Sequence, residues 1–252
     1  MIRGVQMKFI AHRGYSHRYP ENSLEAFKAV VDHPCNGSSL IGIELDVHLT
    51  ADDTIPIMHE VTVRAEDGSM VPVAECTFER LQYLHRLQYE NRCPRIPDFH
   101  SVLSLINHRT TLCIEIKTGQ YDLDRFIGLF REALIDYRPA GDVIISSFSS
   151  EIIATVRSRL ADLDLPYGFI FEGISAFTSL SRKTIGLFDY LHPWYPLLFT
   201  HRKMFEVTGL PVRCWTVNDL QLVKKISDLG TSLTIDAVMT DDITLAETIP
   251  DG

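Results

Sequence analysis

The chain has 252 residues, 45% of them hydrophobic and 23% charged, the ordinary balance of a folded soluble protein. That balance excludes disordered, collagen-like and fibrous chains, and 24 Lys and Arg against 33 Asp and Glu leave a formal net charge of −9. A net-negative surface repels phosphate backbones and anionic headgroups, so nucleic-acid binding and general membrane-surface binding are disfavoured.

In chain order, β-rich apolar runs occupy Phe9–Ala11, Leu40–Val47, Leu112–Ile116, Val143–Ser147, Tyr167–Phe171, Tyr190–His192, Val212–Val217 and Ala237–Thr240. Helical patterns fill 23–32, 98–107, 122–137, 149–161, 176–186, 197–208, 218–229 and 242–249. Asn22-Ser23 before Leu24 and Asn218-Asp219 before Leu220 supply capping chemistry, and Gly209 and Gly230 stand where helices should stop. Eight strands alternating with eight helices, at close to the typical length of about 250 residues, predict a (β/α)8 TIM barrel. A doubly wound sheet is the weaker fit, because its Gly-rich phosphate loop is absent. No linker or low-complexity tract divides the chain, so 1–252 reads as a single domain.

One segment breaks the alternation. After Val47 a short turn, His48 to Thr54, leads into the strand-like run Ile55–His59. The turn is far too short for a parallel crossover, so the run should return antiparallel, as a hairpin on the second barrel strand. Residues 61–95 then look irregular and polar, and 48–95 together predict a hairpin and insertion at the loop face of the barrel.

Five scattered cysteines, Cys35, Cys76, Cys93, Cys113 and Cys214, form no CxxC pair and read as reduced thiols. No stretch approaches the roughly 20 apolar residues of a membrane span, which argues against stable membrane insertion. Met1 to Lys8 carries no apolar signal core, and with the thiols this points to a cytoplasmic protein. The sequence carries no signal for an oligomeric state.

Active sites of such barrels lie at the C-terminal ends of the strands. There the first strand ends in His12-Arg13-Gly14, the second in Glu44-Leu45-Asp46 and the third in Glu115-Ile116-Lys117, while the hairpin brings back His59. Period-two alternation puts Glu44 and Asp46 on one side of their strand, and Glu115 and Lys117 on one side of theirs. Unpaired burial of so many charges would cost several kcal/mol per ion, a cost removed if they converge on a cation and an anionic ligand. Glu44, Asp46 and Glu115 are hard oxygen donors suited to one divalent cation, Ca²⁺ or Mg²⁺. Arg13 can grip phosphate oxygens bidentately and Lys117 offers a point charge. His12 and His59 are suited to general acid–base work near neutrality, so the set reads as phosphodiester cleavage.

The chain resembles the glycerophosphodiester phosphodiesterases, relatives of the phosphatidylinositol phospholipases C. The resemblance runs through Ile10–Gly14, Pro20–Ser23, Ala26-Phe27, Glu44–Val47, Thr50, His59, Ile96-Pro97, Ile114–Lys117, Ser147-Phe148, Trp215–Asn218 and Thr240-Asp241. It implies a small-molecule phosphodiester substrate, with His12 and His59 as the acid–base pair and Glu44, Asp46 and Glu115 as metal ligands. It further implies Arg13 and Lys117 at the phosphate, Glu21 and Asn22 supporting the first loop, and His192, Phe148 and Trp215 lining the glycerol or alcohol pocket. Three departures stand out: Glu60 where the family has Asp after the second histidine, Asp52-Asp53 where it has a DG turn, and a shortened segment after His59. Other readings are a lysophospholipase D, a phospholipase C-like enzyme, or a barrel that binds a phosphorylated ligand without turnover.

Overall fold

Strands buried on both faces must be apolar throughout, and those of this chain close on themselves. The computed structural model describes residues 7–89, 94–137, 143–230 and 232–248. Eight parallel strands form the barrel: β1 (Phe9–His12), β2 (Leu40–Val47), β5 (Thr111–Ile116), β6 (Val143–Ser147), β7 (Tyr167–Phe171), β8 (Tyr190–Pro193), β9 (Val212–Cys214) and β10 (Ile235–Thr240). Neighbours follow chain order around the ring, and β10 pairs with β1 to close it. The intervening β3 (Thr62–Arg64) and β4 (Met70–Pro72) make a separate antiparallel pair.

Outside the strands lie α1 (Leu24–Val31), α3 (Phe99–Ile106), α4 (Leu123–Asp136), α5 (Ser150–Arg159), α6 (Ile174–Thr178), α7 (Arg182–Ile185), α8 (Pro196–Thr200), α9 (Arg202–Thr208) and α10 (Leu220–Leu229). Ser23, Asp98, Asp122, Ser149 and Asp219 cap α1, α3, α4, α5 and α10, each accepting from the third helical N–H. Each such cap contributes about 1 kcal/mol. The helical pattern at 176–186 is broken in two, because the Ser181 hydroxyl accepts from the Thr184 N–H and starts α7 afresh. The pattern at 197–208 is likewise interrupted, at His201 between α8 and α9. The eighth helix is a 3₁₀ segment, Ile243–Thr248, while residue 249 lies outside the described residues. Gly209 ends α9 in the left-handed conformation, φ 65°, whereas Gly230 ends α10 with φ −60°.

Two cores result from strand alternation. Side chains pointing outward, among them Phe9, Ala11, Leu45, Ile114 and Val238, pack with the helices. Those pointing inward, Ile10, Cys113, Ile144, Ala237 and Met239, fill the barrel interior. A half-buried ion pair lies beside the interior: Arg213 Nε donates to Asp236 at 2.6 Å, and its guanidinium lies 4.2 Å from the Tyr190 ring centre. Four cysteines, Cys35, Cys76, Cys113 and Cys214, are free thiols. Cys93 and Met1–Gln6 lie outside the described residues.

The hairpin after β2 forms as expected. Met58 N–H donates to Asp46 O at 3.1 Å, His48 N–H to Pro56 O at 3.3 Å, and Ile57 bridges Val47 antiparallel. Asp53 takes the left-handed position of the turn, φ 66°, the geometry a glycine fills most easily. The expectation of an irregular 61–95 is corrected. This segment holds the β3–β4 hairpin, a 3₁₀ turn and an eleven-residue helix, α2 (Phe78–Gln88), capped by Thr77. Its strands are three residues long and its apolar positions sparse, too few to announce a period. Met58, Val63, Val73, Cys76, Leu81, Leu84 and Ile96 nevertheless bury a small core of their own.

Candidate active site

The inward parity of each strand carries past its end into the barrel mouth. On β1, Ile10 is followed two residues later by His12. On β2 the inward pair is Glu44 and Asp46, and on β5 Cys113 is followed by Glu115 and then Lys117. Register aligns them across the sheet: His12 pairs with Glu44, and Asp46 with Glu115. Glu44, Asp46 and Glu115 are all buried and each offers an oxygen within 4.8 Å of the others.

Cations surround this cluster. Lys117 Nζ lies 2.8 Å from Glu115 Oε1 and 3.2 Å from Asp46 Oδ1. Arg13 is held in the left-handed region, φ 56°, where its N–H donates to Glu44 Oε2 at 3.0 Å. Its Nη1 donates to Glu21 at 2.9–3.0 Å, and Nε stands 3.4 Å from Asp46. Gly14 follows with φ 82°, and a Cβ there would meet Ala26 Cβ at 2.8 Å, so the loop can press onto α1 only with glycine. Asn22, rather than capping α1, donates from Nδ2 to Asp46 Oδ2 at 2.8 Å.

The three carboxylates sit in different electrostatic surroundings. Burial, reinforced by Asp46, pushes Glu44 well above the usual range and Glu115 up to about 7. Burial acts the same way on Asp46, but Lys117, Arg13 and the Asn22 amide outweigh it and hold its pKa low. Burial would likewise lower Lys117, yet Asp46 and Glu115 raise it.

The two histidines are held unequally. His12 Nδ1 bonds Asp241 Oδ1 at 2.7 Å, and Asp241 also accepts from Ser16 Oγ at 3.0 Å and Asn218 Nδ2 at 2.6 Å. Burial would raise Asp241, but these bonds, His12 foremost, take it down to about 2. His59 is more exposed, and its Nδ1 lies 3.9 Å from Glu60 Oε1. His12, Arg13, Glu44, His59 and Glu115 line a cavity of 330 Å³ together with Phe148, Glu172, His192 and Trp215. A larger cavity of 550 Å³ lies beyond His59, between Pro20–Ser23 and α2, but holds none of the three clustered carboxylates.

The model of the glycerophosphoryl diester phosphodiesterase family matches residues 12–245. The chain belongs to that family. It is 37% identical over 279 aligned positions to mouse glycerophosphodiester phosphodiesterase 1, covering 92% of this chain and 78% of that protein. It is 28% identical over 242 positions to the glycerophosphodiester phosphodiesterase of Caldanaerobacter subterraneus subsp. tengcongensis, covering 92% and 93%. Among solved structures, a Thermotoga maritima glycerophosphodiester phosphodiesterase superposes with a TM-score of 0.72 at 23% identity, covering 97% and 98% of the two chains. An Oleispira antarctica phosphodiesterase, solved in complex with the product sn-glycerol-3-phosphate, gives 0.75 at 21% identity, covering 96% and 95%. This chain is thus a glycerophosphodiester phosphodiesterase, built on the family's barrel.

Every site residue singled out from the sequence of this phosphodiesterase lies at or beside the mouth. His192 is fully buried with both ring nitrogens unpartnered, and burial, aided by the Arg213 charge, takes it down to about 3. A Cβ on Gly168 would meet the His192 ring at 2.7 Å, which is why β7 carries glycine there. Trp215 Nε1 donates to His192 O at 2.8 Å, and its ring meets Phe148 edge-on with centres 5.9 Å apart. The neighbouring His59 is the main cause holding the Glu60 carboxyl below its usual range. Sequence reasoning gave no role to Asp241 and overlooked Glu172. The signal for both was parity: Asp241 follows the inward Met239, and Glu172 follows the inward-facing Gly168 and Ile170.

Proposed function

We propose that the enzyme hydrolyses glycerophosphodiesters to sn-glycerol 3-phosphate and an alcohol such as choline or ethanolamine, using one divalent cation and two histidines. The observation that carries this reading is the convergence of the Glu44–Asp46–Glu115 cluster, His12 and His59 on one cavity. Three buried carboxylates that repel one another, two of them held above their usual range, are a donor set a cation fits. Their oxygens are hard ligands of the kind Ca²⁺ and Mg²⁺ both take. Such a cation supplies charge neutralisation at phosphorus and lowers the pKa of a nearby hydroxyl.

The remaining steps fall to the chain's own side chains. Arg13 and Lys117, beside the cluster, hold the phosphate oxygens. One histidine removes the proton of the attacking hydroxyl while the other protonates the departing alcohol. His12, bonded through Nδ1, has Nε2 left for that transfer. His192, Phe148 and Trp215 contact the glycerol or alcohol group, and the unpartnered ring nitrogens of His192 suit a substrate hydroxyl. The cytoplasmic assignment rests on the free thiols together with the absence, among the described residues, of a helix long and apolar enough to cross a membrane.

The test is metal-dependent release of glycerol 3-phosphate from glycerophosphocholine, with EDTA and separate Ca²⁺ and Mg²⁺ titrations. His12→Ala should abolish turnover and keep cation affinity, whereas Glu44→Ala should lose both. Undiminished turnover in His12→Ala would remove the acid–base assignment, and a bound but unhydrolysed diester would favour the binding-barrel reading.

A specific observation favours a second substrate. Leu81 and Leu84 are buried, yet Val61, Met70, Tyr83, Leu87 and Tyr89 on the insertion are exposed. The cavity beyond His59 is lined by Ile57, Met58, Tyr89, Ile96 and Pro97 among others. Tyr89 belongs both to these exposed side chains and to that cavity, an apolar contact that suits the acyl chain of a lysophospholipid and makes lysophospholipase D activity the next assay.

A further inference from the structure

Among the carboxylates lining the catalytic cavity, Glu172 alone stands outside the chemistry described above. It is exposed on the loop after β7 and lies outside the Glu44–Asp46–Glu115 cluster. It has no hydrogen bond or ion pair with any described residue. Glu44, Glu115 and Arg13 in the same cavity are all partnered. The edge-to-face rings of Phe148 and Trp215 line the same cavity as Glu172, and Phe148 leaves 42% of its surface in solvent. The buried His192 ring, with two unpartnered nitrogens, is also aimed into the cavity.

We propose that Glu172, with the faces of Phe148 and Trp215, selects diesters whose alcohol carries a quaternary or primary ammonium group over diesters of neutral alcohols. An ammonium ion is attracted to aromatic faces, and an unpaired carboxylate at the rim adds a charge of the right sign. A neutral polyol gains neither contribution. The cavity, at 330 Å³, is within the range that small-molecule ligands fill. Because the rim is open to solvent, the charge contribution is modest and weakens with salt. This inference rests on the phosphodiesterase reading of the same cavity and assigns the cavity's outer end to the leaving alcohol.

The experiment compares kcat/KM for glycerophosphocholine and for glycerophosphoglycerol in the wild type, Glu172→Gln and Glu172→Lys. The wild type should prefer the cationic alcohol. The ratio of the two values should fall by about fivefold to tenfold in Glu172→Gln and reverse in Glu172→Lys. A ratio unchanged in both variants, with both substrates losing rate together, would overturn the proposal and make Glu172 an acceptor for the glycerol hydroxyls they share. A second measurement is independent of turnover: choline should quench the fluorescence of the two tryptophans, Trp194 and Trp215, in the wild type and about tenfold more weakly in Glu172→Gln. Glu172-dependent quenching without hydrolysis would sink the reaction reading and keep the cation site. Hydrolysis without a change in ratio or quenching would do the opposite.

Discussion

His12 and His59 are offered for the same kind of work but are held by different means. His12 is locked at 2.7 Å to a carboxylate that itself accepts two further hydrogen bonds. His59 meets Glu60 only at 3.9 Å. An Asp241 pKa of about 2 keeps that carboxylate charged throughout the working range, so it orients the His12 ring and fixes its tautomer. Asp241→Asn retains the size but presents an amide, and should lower kcat by about 10²-fold or more while leaving cation affinity unchanged in calorimetry. An equal loss of cation affinity would mean that Asp241 acts through the carboxylate cluster instead. The candidate site residues on β1, β2 and β5 were legible because each is a charged or titratable group at the end of an apolar strand, in phase with the alternation. Asp241 was harder to read, because its partner His12 lies at the other end of the chain and only closure of β10 on β1 unites them.

The insertion between β2 and α3 shows how an element carries a site residue. His59 follows Met58, whose side chain belongs to the small core with Leu81, Leu84 and Ile96. Removing Leu84 should therefore disturb His59 without touching the barrel. Leu84→Ala is expected to cost about 2–5 kcal/mol of local stability. Amide exchange should accelerate across residues 62–88 and leave the eight barrel strands protected. Parallel loss of protection in the strands would show that insertion and barrel open as one unit. The strands, helices and hairpin around this insertion were visible as periods and caps. The insertion's internal structure was not, since three-residue strands and a helix with a mostly polar surface leave no periodic signal, and its fold depends on contacts between Met58, Val73 and Ile96, far apart in sequence.

At the scale of the whole molecule, the barrel interior sets a pH dependence. His192 is neutral when folded, with a pKa taken to about 3, against about 6.5 when unfolded. Between those values the unfolded chain binds the extra proton, so this group contributes least destabilisation near neutrality and progressively more as pH falls below about 6.5. From pH 7 to pH 5 the cost is about 2 kcal/mol. Replacing the histidine with Asn should flatten the stability-versus-pH curve by about that amount, measured by denaturant unfolding at the two pH values. Equal slopes would show that His192 holds its proton in the folded state. Arg213 deepens the effect from within the barrel, where its own charge is balanced by Asp236 at 2.6 Å.

Local pattern alone determined the barrel, the antiparallel return after β2 and the set of charged strand ends, because period-two alternation and capping are short-range physics that a single chain displays. Closure of the ring decided the rest. It placed Asp241 on His12, buried Arg213 against Asp236 and Tyr190, turned Asn22 from a helix cap into a partner of Asp46, and put Glu172 in one cavity with Glu44 and Glu115. Each of these depends on residues distant in sequence meeting at a fixed register, where desolvation makes a charge dependent on whichever partner the fold supplies.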